Sequence, residues 1–294
     1  MKAAFLERIG EPLRIVDLET PPGGVGQVLV KVLSTGICGS QLQEIDGIKG
    51  DPANLPHLLG HEGCGIVEMV GPGVTQVKRG DKVVLHWRRG AGMDVLGGVY
   101  GDVKSGPVTT FATHTIVSEN RVTKIDHDVP NDLAALLGCC LSTALAIIEN
   151  EAKPTKDESA CIIGCGGVGL ALILAARLRT NWVTAIDLNR SKREVVQSFG
   201  AAFTDVTAAN IIIDTVGTIR PWYYCDRYIS LQGGTSAGGF LPTVDIPRYV
   251  QMWRDGDLKD YPKLITHRIK LEQINEGIQL MRDGKAGRVM IEMA

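Results

Sequence analysis

Apolar and polar positions change rhythm once along this chain, and the change divides it in two. Up to about residue 130, apolar side chains come in short runs near period two, cut by glycine and proline. Gln27-Val28-Leu29-Val30-Lys31-Val32-Leu33-Ser34 alternates as a half-buried strand does. Residues 65–70, 82–87 (after a turn at Gly80-Asp81), 113–117 and 121–125 continue the series. Many short strands separated by turn signals predict a compact β-barrel-like domain.

Beyond residue 159 the runs become wholly apolar and alternate with helical stretches. Ser159-Ala160-Cys161-Ile162-Ile163 reads as a buried strand, and Leu170-Ala171-Leu172-Ile173-Leu174-Ala175-Ala176-Arg177-Leu178 as a helix. Residues 182–186, 211–217 and 228–234 read as further strands, the pattern of a doubly wound α/β sheet. In the tail, 244–250 starts a helix and 284–291 closes as a strand. The longest apolar stretch, 133–148, is broken by Gly138, Ser142 and Thr143 and is too short to span a bilayer comfortably.

Between the first such strand and its helix lies Gly164-Cys165-Gly166-Gly167-Val168-Gly169. Strand, glycine turn and helix are the context a dinucleotide fingerprint requires. Gly164 makes the turn, Gly166 lets the backbone approach a pyrophosphate, and Gly169 lets helix and strand pack closely. The helix N-terminus then receives the phosphate charge. Asp187, at the end of the next strand, is placed to take the adenosine ribose hydroxyls. A carboxylate there repels a 2′-phosphate, which favours NAD over NADP, although Arg190 nearby could tolerate the extra phosphate.

Composition narrows the class. A chain of 294 residues, 44% hydrophobic and 22% charged, suits a two-domain enzyme. The net charge of −2 offers no global field for nucleic acid or an anionic membrane. The N-terminus has no apolar signal core, and the seven cysteines are an odd number. A cytoplasmic location with reduced thiols is expected.

Two short stretches carry candidate metal chemistry: Gly36-Ile37-Cys38-Gly39-Ser40 and Gly60-His61-Glu62. A soft sulfur and an imidazole nitrogen together suit zinc. With the glycine ladder Gly60-His61-Glu62-Gly63-Cys64-Gly65 and Gly71, these stretches resemble the signature of zinc-containing alcohol dehydrogenases of the medium-chain dehydrogenase/reductase superfamily. The resemblance covers nearly the whole chain, with gaps at one lobe and in the cofactor domain. It implies a GroES-like β-barrel catalytic domain over 1–152, a Rossmann NAD-binding domain over 153–240, and a return to the catalytic domain over 241–294.

The resemblance also assigns residues. In Leu136-Leu137-Gly138-Cys139-Cys140-Leu141-Ser142-Thr143 it places a third ligand at Cys139. One catalytic zinc per chain would then be held by Cys38, His61 and Cys139, with a position open for a reactant and Glu62 beside it. Ser40 matches the hydroxyl that carries the alcohol's proton away, and Trp87 matches a wall of the alcohol pocket. Thr143 and Val168 would flank the nicotinamide, Lys192 would contact the adenosine ribose, and Arg288 would reach the pyrophosphate. The family further implies a homodimer or homotetramer.

Departures from the family pattern are as specific as the matches. Gln41 stands where an Asp often orients the ligand His, Gln43 where a His can end the proton relay, and Gly39 where a basic residue can hold pyrophosphate. Residues 88–106 carry no cysteine, where many relatives bind a structural zinc with four. The interval 156–239 is too short for a six-stranded doubly wound sheet. Either the cofactor domain is trimmed to about four strands, or stretches of the natural chain are omitted.

The expected function is zinc-dependent hydride transfer between a small-molecule alcohol and NAD, or the aldehyde or ketone and NADH in reverse. The alternatives are a zinc-free NADPH-type reductase of the same superfamily and a cofactor-binding protein that no longer turns over. Primary and benzylic alcohols, polyols and glutathione-linked hydroxymethyl groups all fit the chemistry.

Overall fold

In a computed structural model, residues 1–205, 208–217, 225–231 and 237–293 are described. The chain separates into two compact units. Unit 1 comprises residues 1–139, 241–250 and 267–294, and unit 2 comprises 140–240 and 251–266.

In chain order, unit 1 contains β1 (Lys2–Leu6), β2 (Arg14–Asp17), β3 (Gln27–Ile37), α1 (Gly39–Ile45), β4 (His57–Leu58), β5 (Glu62–Val70), β6 (Lys82–His86), β7 (His114–Ser118), β8 (Val122–Ile125) and α2 (Asn131–Leu137). Unit 2 contains α3 (Cys140–Ala146), β9 (Ala160–Ile163), α4 (Gly167–Arg177), β10 (Val183–Ile186), α5 (Arg193–Ser198), β11 (Ala202–Phe203), β12 (Ile211–Asp214) and β13 (Arg227–Ser230). Four elements follow: α6 (Pro242–Arg254), β14 (Ile265–Ile269), α7 (Ile274–Arg282) and β15 (Arg288–Glu292).

The main sheet of unit 1 runs β14-β15-β3-β5-β6-β8, with β7 also paired to β3. Alternation along β3 turns Val28, Val30 and Val32 inward, where they meet Val67, Val83, Leu85, Val117 and Val122. A second cluster joins Ala4, Leu6, Ile37 and Phe111 to Ile274, Ile278, Val289 and Ile291. That cluster is the apolar reason the C-terminal segment returns to this unit.

Unit 2 carries a parallel sheet of five strands among the described residues, in the order β11-β10-β9-β12-β13. The expected trimmed sheet has about four strands. The additional one, β11, is only two residues long and follows α5 too closely to leave a readable period. β13 covers 227–230, and residues 232–234 of the expected strand lie outside the described residues.

The unit boundaries also differ from those the resemblance implies. The first unit ends at Cys139 rather than 152, because α3 packs on α4. Residues 251–266 belong to unit 2 rather than to the tail's return, since the turn Tyr261–Leu264 packs on α4 as well. The apolar stretch 133–148 is two helices, with Gly138 and Cys139 between them, and it is buried. No single helix among the described residues is long and apolar enough to cross a membrane.

Residues 88–106, the stretch without cysteine, are tied down by hydrogen bonds. Met93 N donates to Glu119 Oε2 at 2.7 Å, and Val95 N donates to Ser118 Oγ at 3.0 Å. The other Glu119 oxygen accepts from the backbone of Gln76 at 2.8 Å. A buried carboxylate receiving several N–H groups keeps its charge, and backbone bonds outweigh burial to hold its pKa low.

Candidate functional site

The register of the main sheet brings Cys38 and His61 to one place. β3 ends at Ile37, β5 begins at Glu62, and the two pair antiparallel with Thr35 opposite Gly63. Cys38 and His61 therefore leave the same end of one strand pair. β6 pairs with β5 so that His86 faces Glu62, which puts Trp87 alongside His61. β15 pairs with β3 so that Val289 faces Ile37, which puts Arg288 alongside Cys38.

Cys139 arrives from α2. A Cβ on Gly138 would lie 2.2 Å from the Leu85 carbonyl oxygen and 2.9 Å from Glu62 Cα. Only glycine lets the end of α2 come this close to β5 and β6, and Cys139 follows it directly. The result is that Cys38, His61 and Cys139 each offer a ligand atom, all within 4.8 Å of one another. Tetrahedral zinc would set such atoms on the order of 3.5–3.8 Å apart, so the spacing is close to what a metal needs.

The donor chemistry fits the same reading. Cys38 and Cys139 are buried, and the Nε2 of half-buried His61 has no hydrogen-bond partner. The Cys139 thiol donates to Cys38 and, with the charges of Arg288 and His61 adding, holds Cys38 well below the usual thiol range. Cys139 moves the other way, because it donates to the Cys38 thiolate and is buried. Burial alone would lower the His61 pKa, but the Cys38 thiolate and the Glu62 charge raise it. A soft dication bound between the two thiols would favour ionisation of both.

Glu62 is fully buried and paired with Arg288, itself 1% exposed. Arg288 Nε lies 3.3 Å from one carboxylate oxygen, Nη2 donates to the other at 3.3 Å, and Nη1 donates to Ile37 O at 2.8 Å. The residue assigned by resemblance to a pyrophosphate is here the buried counter-ion of the carboxylate beside Cys38, His61 and Cys139. Ser40 Oγ lies 3.4 Å from His61 Nδ1. Trp87 is half-buried, with Arg88 over its ring at 5.7 Å.

A cavity of about 530 Å³ opens in unit 1 beside His61. Gln41, Glu44, Asn54, His57 and Lys104 are among its lining residues, and Trp87 is not. Burial raises the Glu44 carboxyl pKa, and burial followed by the Lys104 charge lowers that of His57. The motifs gave no signal for Glu44 or His57. Both lie near or within a turn-rich connection whose shape local sequence does not encode.

In unit 2 the glycine turn is formed. Asp187 accepts from Cys165 N at 2.7 Å through one oxygen and from Asn189 N at 2.8 Å through the other. Gly166 N-caps α4, and a Cβ there would meet nothing within 4 Å, which leaves the helix N-terminus open to a diphosphate. Val168 is half-buried, Lys192 is buried near Asp187, and Thr143 lies on α3 at 9% exposure. A Cβ on Gly169 would sit 1.8 Å from the Gly164 carbonyl oxygen. Gly169→Ala should therefore destabilise the chain by about 1–3 kcal/mol and weaken NAD binding, read by thermal melts with and without NAD. An unchanged melting temperature would show that the turn relaxes freely.

Residues 24–127 match the alcohol dehydrogenase GroES-like domain family. Over 367 aligned positions the chain is 28% identical to S-(hydroxymethyl)glutathione dehydrogenase of Photobacterium damsela subsp. piscicida, covering 99% of each. Because that alignment is longer than this chain, the relative carries stretches with no counterpart here. Benzyl alcohol dehydrogenase from Acinetobacter calcoaceticus shares the fold with a TM-score of 0.85 at 24% identity, over 100% of this chain and 99% of that one. An alcohol dehydrogenase zinc-binding domain protein from Burkholderia ambifaria does so at 0.84 and 22%, over 100% and 98%. On these matches, residues 24–127 carry an alcohol dehydrogenase GroES-like domain, and the chain as a whole is similar in sequence and fold to alcohol dehydrogenases.

Proposed function

We propose that the chain is a zinc-dependent, NAD-linked alcohol dehydrogenase with a single metal site. The observation that carries this reading is the convergence of Cys38, His61 and Cys139 within 4.8 Å. These three residues would hold the ion and leave a position for the reactant. Zinc bound there would supply Lewis acidity that favours the alkoxide of an alcohol, or polarises a carbonyl in reverse. Ser40 Oγ lies 3.4 Å from Nδ1 of the ligand histidine, and it would take the alcohol's proton. Glu62, neutralised by Arg288, keeps the charge around the ligands balanced.

Gly164, Gly166, Gly167, Val168 and Gly169 would hold the NAD diphosphate at the start of α4, with Asp187 and Lys192 on the adenosine ribose. Arg190, which could otherwise welcome a 2′-phosphate, is bonded to Asp205 at 2.7 Å. The family resemblance supports Thr143 beside the nicotinamide, Trp87 as a pocket wall and a homodimer or homotetramer. The cavity beside His61 would take the tail of the alcohol.

The test is direct. The purified chain should contain about one equivalent of zinc and form NADH, but little NADPH, with a panel of primary, benzylic and polyhydric alcohols. Two equivalents would sink the single-site reading, and absence of zinc would favour the zinc-free reductase branch. Zinc and NAD binding without any turnover would favour a protein that has lost catalysis.

A further inference from the structure

The contacts of His61 hold a mismatch of donors and acceptors. Gln41, the third residue of α1, is 1% exposed. Its carboxamide offers one acceptor oxygen and one donor nitrogen. The oxygen accepts the Cys38 backbone N–H at 3.1 Å, which caps the start of α1. The nitrogen lies 2.6 Å from His61 Nδ1.

An NH₂ group facing a ring nitrogen makes that nitrogen an acceptor. The neutral imidazole then carries its proton on Nε2, where it has no lone pair for a metal. Ligation through Nε2 moves the proton to Nδ1, which then needs an acceptor of its own. Turning the carboxamide supplies one, but sets its NH₂ against the Cys38 N–H. In either orientation one oxygen must serve two N–H donors. Ser40 Oγ accepts from the Gln41 amide at 3.3 Å and keeps a second lone pair, but at 3.4 Å from Nδ1 it is too far to replace a short bond there.

We propose that Gln41 is a positioning residue that holds metal-free His61 in the Nε2–H tautomer, so that metal capture breaks one buried hydrogen bond at Cys38 or His61. The proposal rests on the metal reading above. A carboxylate of the same length would accept both N–H groups at once, the arrangement that fixes a metal-bound imidazole.

The test measures zinc affinity by competition with a chromophoric chelator, together with the ¹⁵N shifts of His61 in the metal-free chain. Gln41→Glu should bind zinc about 10–100-fold more tightly than the wild type. Metal-free wild type should show an unprotonated Nδ1, and Gln41→Glu a protonated one. Gln43→Glu adds the same charge at an exposed position of α1 and should change affinity by less than about threefold. Equal affinities of wild type and Gln41→Glu overturn the proposal, as does a gain that Gln43→Glu reproduces. A protonated Nδ1 in the metal-free wild type also overturns it, and needs no variant to fold. If neither wild type nor Gln41→Glu binds zinc, the metal reading itself fails, and that outcome is distinct from two equal affinities.

Discussion

On the proposed zinc reading, Cys139→Ser should abolish metal binding and lower kcat/KM by about a thousandfold or more. Serine keeps the size of the side chain but does not ionise near neutral pH, so the site would keep one thiolate and one imidazole. The loss of rate follows from removing several kcal/mol of electrophilic assistance, at 1.36 kcal/mol per factor of ten. Metal analysis should fall from about one equivalent to less than about a tenth. Cys64→Ser is the control. Cys64 is buried, its thiol is pushed up to about 12 chiefly by burial, and it is not part of the ligand cluster. That variant should keep both metal and turnover. Full metal retention in Cys139→Ser would remove Cys139 from the ligand set.

Arg288→Met should cost about 3–5 kcal/mol of folding stability, because it leaves the Glu62 charge buried without its counter-ion. The carboxylate is fully buried and the guanidinium side chain 2% exposed, so water cannot replace the lost partner. The effect would appear as a lower urea midpoint at unchanged slope. Arg288→Lys keeps the charge but gives up the forked geometry and the bond to Ile37 O, so a loss of about 1–2 kcal/mol is expected. Equal losses in the two variants would mean that packing, not charge, holds the pair. Removing Arg288 should also raise the Cys38 thiol pKa, since its positive charge is one of the groups that lower it.

The two predictions differ in how much of their basis can be read along the chain. Cys38 and His61 stand inside glycine patterns only a few residues long, and the donor types alone suggest zinc. The turn at Gly164, Gly166 and Gly169, with Asp187 beyond, is a strand–turn–helix unit whose parts are neighbours in sequence. Cys139 needed a resemblance to be noticed. It has no metal-like spacing of its own, and its place depends on how closely Gly138 can approach Leu85 and Glu62. The Arg288–Glu62 pair joins residues 226 positions apart. No local pattern predicts such a contact. It follows from β15 and β5 flanking β3 in one sheet.

The unit boundary after Cys139 was hidden for a related reason. Residues 133–148 form one apolar run in sequence, and hydropathy cannot say which part packs on which neighbour. Packing of α3 on α4 decides it. The amide of Gln41 is a sharper case. Its departure from an acidic residue is visible in sequence, but the consequence depends on two distances, 3.1 Å to Cys38 N and 2.6 Å to His61 Nδ1.

By itself, then, the sequence determined the chemical vocabulary: a barrel-like first unit, a parallel second sheet, thiol and imidazole donors, and a diphosphate turn. These are properties of residue type, short-range periodicity and backbone freedom at glycine, all of which act within a few residues. Tertiary structure alone decided that Cys38, His61 and Cys139 meet, that Arg288 faces Glu62, and that Gln41 sets one oxygen against two donors. Those outcomes depend on strand register and close approach between distant segments, where a shift of one residue would turn the same side chains away from each other.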